Sequence, residues 1–434
     1  MIPTPRLLWL AALLAAAGLA VTVYRELQPL WPFLAAILAV AALADALLVL
    51  RGARPTVTRS VPGSLPLGVR HEVALRVENP GTAALTLEVH DHHPPHAVVE
   101  SLPRTVTVPA GGWAEVRYGL TPVERGEAAF GATALRIASP AGLWLRNIDA
   151  GRPQSVRVYP NFSALTRFAI MAVDHRLSQI GVLQRRRRGE GLDFHQLREY
   201  REGDVQRQID WKATARAGKL VSREYQDERD QTLLLLVDCG RRMGAKDGEL
   251  AHFDHVLNAA LLLAYVALRQ GDAVGLLTMS GPQRWFAPRK SAATVNLLLN
   301  HVYDLQPSHA TTDYHAAATE VVQRMRKRAL VVVLSNMRDE DDDTLGPALG
   351  LLQSRHLVLF ASLREAILSR ALAARVDTFD RAVTHAATAD YLARRELAFR
   401  RIERGGAVAV DVEPDELPMA LVNRYLDIKR AGRL

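Results

Sequence analysis

Hydrophobic and polar residues follow three different patterns along this chain, and each predicts a different kind of element. At the N-terminus there is no alternation. Leu7–Val23 is 17 residues without a charge, and Leu30–Leu50 is 21 residues interrupted only by Asp45. As helices rising ~1.5 Å per residue they reach roughly 26 and 31 Å, enough to cross a hydrocarbon core of about 30 Å. Residues 24–29 between them form a tight loop. From residue 55 to 158 the pattern has period two. Val73–Glu78 stops at Asn79-Pro-Gly81, Leu85–Val89 follows, and Thr105–Val108 stops at Pro109-Ala-Gly-Gly112 ahead of Ala114–Tyr118. Short β-branched runs cut by Pro, Gly and Asn predict an antiparallel β-sandwich of about seven strands, immunoglobulin-like in size.

Beyond residue 231 continuous apolar runs alternate with amphipathic ones. Strands are expected at Thr232–Asp238, Ala273–Met279, Ala329–Ser335, His356–Ser362 and Ala407–Val412. Helices are expected at Glu249–Arg269, Ser291–Tyr303, Tyr314–Lys327 and Glu416–Asp427. This is the signature of a doubly wound α/β domain, a parallel sheet covered on both faces, with ligands at the carboxyl ends of its strands. The chain thus divides into a transmembrane helical hairpin (1–54), a strand-rich segment (55–158), a charged segment (159–230) and an α/β domain (231–434).

Charge sets the membrane side. Arg6 precedes the first span, Arg25 lies between the two, and Arg51, Arg54 and Arg59 follow the second. The positive-inside rule puts residues 51–434 in the cytoplasm, on a two-span anchor in the inner membrane. A signal peptide cleaved near Ala15-Ala16-Ala17 would leave the body on the same side. Asp45, a turn and a half from the end of its span, is expected to reach the headgroups. The formal net charge of +8 suits an anionic membrane face or an acidic protein partner. The densest basic run, Arg185–Arg188, lacks interleaved aromatics and reads as a solvated loop beside lipid or a partner, with no specific nucleic-acid site. Cys239 is the sole cysteine, so no internal disulfide and no cysteine pair for zinc exist; it reads as core packing in a reducing compartment. His90, His92, His93 and His96 crowd around Asp91 and two prolines; they read as exposed histidines on a strand-end loop or a weak metal site.

From Gly189 to Arg216 acids and bases interleave around Phe194, Tyr200, Ile209 and Trp211. Gly203-Asp204 reads as a turn and helix N-cap, with Val205, Ile209 and Lys212 along one face, aromatics buried and ion pairs at the rim. The pattern Tyr200, Gly203-Asp204, Arg207, Ile209-Asp210-Trp211-Lys212, Ala215-Arg216 resembles the bacterial membrane-protein family called domain of unknown function 58. Arg125-Gly126, Ser139-Pro-Ala-Gly-Leu143, the two spans and the α/β domain fit it as well. The resemblance implies a von Willebrand factor A-like α/β domain. It also implies association with MoxR-type AAA+ ATPases in assembling or maturing other proteins.

In von Willebrand A domains the first strand ends in Asp-x-Ser-x-Ser, and with a threonine and an acid from two further loops it surrounds Mg²⁺. Here the resemblance aligns Asp238 with the acid and Gly240 and Arg242 with the serines. Thr311 and Thr312 fall in the second loop, and Asn336 falls where the third loop carries an acid. Lost oxygens and a gained guanidinium disfavour a divalent cation, so no cofactor is expected, with Asp238 the weak candidate for Mg²⁺. Arg241 or Arg242 instead supplies positive charge for an acidic partner group, or Asp238 simply caps a helix or pairs with an arginine. Thr312 and Asp313 are N-cap candidates for the helix from Tyr314, and Asp339–Asp343 reads as a solvated helix start. No P-loop, dinucleotide fingerprint, nucleophile elbow or zinc-protease motif occurs, and no catalytic residue is assigned. The leading expectation is a membrane-anchored scaffold or adaptor. The alternatives are a divalent-cation-dependent adhesion or envelope-assembly module, and a hydrolase built on Asp204, Asp210 and His195.

Overall fold

A computed structural model describes residues 1–23, 28–161, 193–201, 206, 209–226, 231–248, 250–291, 293–338 and 341–433. Two compact units divide the chain, Met1–Tyr159 and Pro160–Leu434.

In the first unit a two-residue strand β1 (Ile2–Pro3) leads into helix α1 (Pro5–Val23), and α2 (Leu30–Arg51) returns. Both helices are long and apolar enough to cross a membrane. Eleven further strands follow among the described residues. They are β2 (Thr56–Ser60), β3 (Ser64–Pro66), β4 (His71–Glu78), β5 (Leu85–Asp91), β6 (Ala97–Glu100) and β7 (Arg104–Val108). After these come β8 (Trp113–Pro122), β9 (Gly126–Phe130), β10 (Thr133–Ala138), β11 (Trp144–Ala150) and β12 (Gln154–Tyr159). They form sheets in the orders β1-β11-β10-β5-β7, β2-β4-β8-β6 and β3-β12-β9, antiparallel except where β12 meets β3. The period-two pattern has its physical outcome in β4, where Val73, Leu75 and Val77 are buried and the residues between them are not. At roughly 1.5–3 kcal/mol per buried aliphatic side chain, this alternation fixes which face of the strand turns inward.

Inside the unit Asp91 faces the core rather than joining the histidines around it. Arg59 donates to it twice (Nη2–Oδ1 2.5 Å, Nε–Oδ2 2.9 Å), Tyr118 Oη donates at 2.6 Å and Thr133 Oγ1 at 2.8 Å. Burial by itself would raise this carboxyl, but the Arg59 pair and the two hydroxyl donors hold it below the ordinary range.

Asp45 corrects an expectation. It does not reach toward headgroups. Its carboxylate is buried and accepts from Ser139 Oγ (2.5 Å), Ala141 N (2.9 Å) and Leu143 N (3.2 Å), all in the β10–β11 turn.

The second unit opens with the hairpin β13 (Asp193–Glu199) and β14 (Val221–Gln226), which flank the short helix α3 (Trp211–Ala217) in sequence. Then come β15 (Thr232–Asp238), the small pair β16 (Lys246–Asp247) and β17 (Leu250–Ala251), and α4 (His252–Arg269). Next are β18 (Ala273–Met279), β19 (Trp285–Arg289), α5 (Thr294–Val302), α6 (Tyr314–Arg324), β20 (Leu330–Ser335) and α7 (Asp342–Gln353). β21 (Leu357–Leu363), α8 (Ala366–Ala373), α9 (Phe379–Arg404), β22 (Val408–Val412) and α10 (Leu417–Arg430) complete it. The six-stranded sheet runs β19-β18-β15-β20-β21-β22. It is mixed rather than wholly parallel, because β19 pairs antiparallel to β18.

Two cores sandwich this sheet. Leu233, Leu235 and Val237 of β15 point to the side of α4 and α10, while Leu234 and Leu236 point to the side of α6 and α7. α4 is buried on nearly every face, and from Ala259 to Leu268 its sequence is apolar throughout. On the β20–β22 side the buried Arg395 of α9 gathers the strand ends. It binds Asp411 through two nitrogens (3.0 and 2.8 Å), Ser362 Oγ (2.8 Å), Leu363 O (2.7 Å) and Met337 O.

Replacing Asp91 by Ala strands Arg59 in the core and is expected to cost about 3–5 kcal/mol. A carboxyl held low in the folded state stabilises fully above its unfolded pKa and loses that contribution as pH falls through the folded value. Hydrogen exchange of β5 and β10 in the full chain should therefore accelerate in the variant at pH 7, and in the native chain on strong acidification. Native-like protection in Asp91→Ala would contradict the assignment.

Candidate functional site

Strand order decides where a site can form. The chain leaves β15 toward β18 on one side and returns at β20 on the other, so the crevice beyond their carboxyl ends is the topological switch point of the sheet. Asp238 ends β15 there, and Ser335 ends β20 beside it.

Asp238 is buried, and its oxygens are held by the protein. Oδ2 accepts from Ser335 Oγ at 2.6 Å and Thr312 Oγ1 at 2.9 Å; Oδ1 accepts from the Gly240 amide at 2.8 Å. Ser335 has one proton and gives it to Asp238, so Tyr314 Oη, 2.9 Å from Ser335 Oγ, is the donor in that contact. Burial pushes the Asp238 carboxyl above its ordinary range, opposed by the Ser335, Gly240 and Thr312 donors. Burial likewise pushes the Tyr314 phenol upward.

The loop after β15 is zipped to the loop before α6 by Arg241 N to Ala310 O (3.0 Å) and Ser308 N to Cys239 O (2.7 Å). Cys239 is fully buried in the core. A Cβ on Gly240 would stand 2.9 Å from Thr312 Oγ1, 3.0 Å from Asp238 Oδ1 and 3.2 Å from Ala310 O. The threonine hydroxyl has therefore moved into the space that a side chain at position 240 would need. Arg242 does not join the aspartate. Its guanidinium pairs with Asp341, whose Oδ2 also accepts from Arg338 N at 2.9 Å. That corrects the reading of the acidic run as solvated: Asp341 is buried and links the β15 and β20 loops. Asp313 caps α6 through Ala316 N (2.9 Å), whereas Thr312 is spent on Asp238. Thr311 and Arg241 are exposed on the rim.

Asn336, aligned by the resemblance with the acid of the third loop, faces away from Asp238. In β20 alternate residues face opposite cores: Val331 and Val333 point with Ser335 toward α6, and Val332 and Leu334 point with Asn336 toward α4. Asn336 Nδ2 accordingly meets His252 Nδ1 (3.2 Å) and Glu365 Oε1 (3.3 Å). Ser335 was the residue to find, and the parity of the strand carries the signal.

Mg²⁺ would need about six oxygen ligands near 2.1 Å in octahedral array. Here O–H and N–H groups fill the carboxylate, positions 240 and 242 bring no oxygen, and the Asn336 amide faces away. The residues present do not fit the ion.

In the charged segment Asp210 is the N-cap of α3. Its Oδ1 accepts from Lys212 N and Ala213 N, both at 3.0 Å, and Oδ2 accepts from Arg223 Nε at 2.8 Å. The Arg223 hydrogen bond, with those from the backbone, holds this carboxyl below its ordinary range. Ile209 bridges to Ser222 in extended backbone instead of lying on a helical face. Trp211 is 69% exposed where burial was expected, and Lys212 and Arg216 are exposed too. Tyr200 N donates to Leu220 O at 3.0 Å. Gly203, Asp204, Val205, Arg207 and Arg185–Arg188 lie outside the described residues, as does the side chain of His195. Asp210, spent on a helix cap and an arginine, is not placed as a general base.

Residues 196–396 match the family model described as "Protein of unknown function DUF58". The chain is 24% identical over 262 residues to "Uncharacterized protein YeaD" of Bacillus subtilis, covering 58% of this chain and 61% of that one. Among solved structures, Salmonella alpha-2-macroglobulin reacted with methylamine is 18% identical with a TM-score of 0.20, over 24% of this chain and 7% of that one. The CARDB domain of a Pyrococcus furiosus protein in complex with di-metal ions is 14% identical with a TM-score of 0.19, over 25% of this chain and 90% of that one.

Gly240→Ser crowds a close-packed contact and is expected to destabilise the α/β unit by about 1–3 kcal/mol, read from urea unfolding; an unchanged midpoint would contradict the packing described. Asp238→Asn tests the buried charge. A carboxyl raised in the folded state stabilises fully below its unfolded pKa, and that contribution is lost as pH rises through the folded value. Native β15 amides should therefore gain protection over the Asn variant as pH falls from 7 toward 4, and parallel pH curves would argue against a perturbed Asp238.

Proposed function

We propose that this chain, which matches the DUF58 family model over residues 196–396, is a membrane-anchored docking platform whose α/β unit binds a protein partner through charge on its rim, without a metal. The observation that carries this is the sealed switch point. Asp238 is satisfied internally, while Arg241 stands exposed on the loop after β15 and Arg338, paired with Glu365, is exposed on the loop after β20. A guanidinium on a rigid loop is suited to bidentate recognition of a partner carboxylate. The exposed Trp211 adds an aromatic of the kind enriched at interface hot spots.

Sheet order and the position of Asp238 support a von Willebrand factor A-like reading of the α/β domain, and the strand-rich segment reads as immunoglobulin-like. Family resemblance points to a MoxR-type AAA+ ATPase as the partner, in assembly or maturation of other proteins. The basic flanks of α1 and α2 support a cytoplasmic body on an inner-membrane anchor.

Binding of the detergent-solubilised full chain to a purified MoxR-type ATPase, loaded with a non-hydrolysable ATP analogue, tests the reading. Saturable binding is expected, with Kd raised at least about tenfold by Arg241→Glu or Trp211→Ala, a loss of ~1.4 kcal/mol or more. Undiminished binding by both variants, or no binding in any nucleotide state, would refute it.

A further inference from the structure

Asp45 raises a question that the docking reading leaves untouched: why an acid in an apolar helix should have its oxygens supplied by a β-turn. In α2, Asp45 and Val49 are buried and Ala42 and Ala46 half-buried, a helical stripe facing β11. Trp144 Nε1 donates to Ala42 O (2.9 Å), and Arg146 Nη1 donates to Val49 O (2.8 Å). The opposite face keeps Leu43, Leu47, Leu48 and Leu50 between 41 and 62% exposed. Those leucines run without a polar residue up to Arg51.

The other end of the hairpin is tied to the same turn. Thr4 Oγ1 donates to Gly142 O (2.7 Å), Thr4 N donates to Leu143 O (2.9 Å), and Ile2 and Pro3 pair with Leu145 and Trp144. The turn itself, Ser139-Pro-Ala-Gly-Leu143, carries no charge, and Pro140 and Ala141 are exposed at its tip.

We propose that this β10–β11 turn is part of the membrane anchor and inserts into the bilayer beside α2 at the boundary between acyl chains and headgroups. If lipid covers the leucine face up to Arg51, Asp45 lies about 9 Å below that arginine, at 1.5 Å per residue, and the turn lies with it. At that depth water cannot be relied on to solvate a carboxylate, and three protein donors replace it. The Arg6 guanidinium, near Gly142, marks the depth as interfacial rather than central, since a long basic side chain reaches headgroups from there. The partner is the lipid bilayer itself.

The proposal rests on α1 and α2 being spans, and the test keeps the two apart. The full chain carrying Cys239→Ala is reconstituted in phosphatidylcholine–phosphatidylglycerol vesicles, with one added cysteine labelled by an environment-sensitive fluorophore. Ala141→Cys probes the turn. Glu124→Cys, an exposed site in the β8–β9 turn at the opposite end of those strands, is the control. Blue-shifted emission and quenching by brominated lipid are expected at position 141 and not at 124. Emission at 141 as solvent-like as at 124, in protein that resists alkaline extraction from the vesicles, would overturn the proposal while leaving the spans intact. Release by alkaline extraction would remove the spans and the proposal with them. Asp45→Leu, which takes away the acceptor, should abolish the quenching at 141; persistence would separate the turn's depth from the acid and overturn the coupling.

Discussion

A carboxylate taken out of water must have its lone pairs filled by the protein, and buried acids, Asp91, Asp45 and Asp238 among them, organise the described parts of this chain under that constraint. Asp91 is filled by an arginine and two hydroxyls, Asp45 by a serine and two turn amides, and Asp238 by a serine, a threonine and a glycine amide. Each joins segments that are distant in sequence: β2 to β5, α2 to the β10–β11 turn, and β15 to the α6 and β20 loops. Leaving any of these oxygens without donors would cost several kcal/mol, so the acids select the loop conformations that supply them.

At Asp238 both carboxylate oxygens are occupied by protein donors. A glycine where a serine could have offered oxygen lets the Thr312 hydroxyl reach the carboxylate directly. An arginine at position 242 then finds its counterion in Asp341, tying the loop after β15 to the loop after β20. The polar groups of the rim are thus paired with one another, Arg338 with Glu365 among them, while Arg241 is exposed.

Much of the architecture was legible because it follows from hydrophobic period. The two apolar N-terminal helices, the alternating strands of the first unit and the buried strands of the sheet stand within a few residues of where the apolar pattern places them. β19 and α9 were not legible. β19 is a short edge strand containing Pro288, and the Arg- and Ala-rich α9 shows no clear apolar stripe along its length, packing through Ala398, Phe399 and Ile402 beside the buried Arg395. At the site, Asp238 stood out as the acid ending an apolar strand, and Gly240 and Thr312 came from the family resemblance. Asn336 was misplaced because loop position was weighed without strand parity, which turns Ser335 inward beside Asp238 and Asn336 toward His252. Trp211 was expected inside because aromatics usually are, yet the Asp210 cap fixes the start of α3 so that Trp211 opens the helix facing solvent.

The most direct measurement is the spectrum of Mn²⁺, a stand-in for Mg²⁺ with the same taste for oxygen, titrated into the detergent-solubilised full chain and followed by electron paramagnetic resonance. With Asp238 sealed by Ser335, Thr312 and Gly240, the signal of free Mn²⁺ should rise from the first addition as it does in buffer. Stoichiometric loss of that signal, restored by Asp238→Asn, would show an open metal site and contradict the sealed platform.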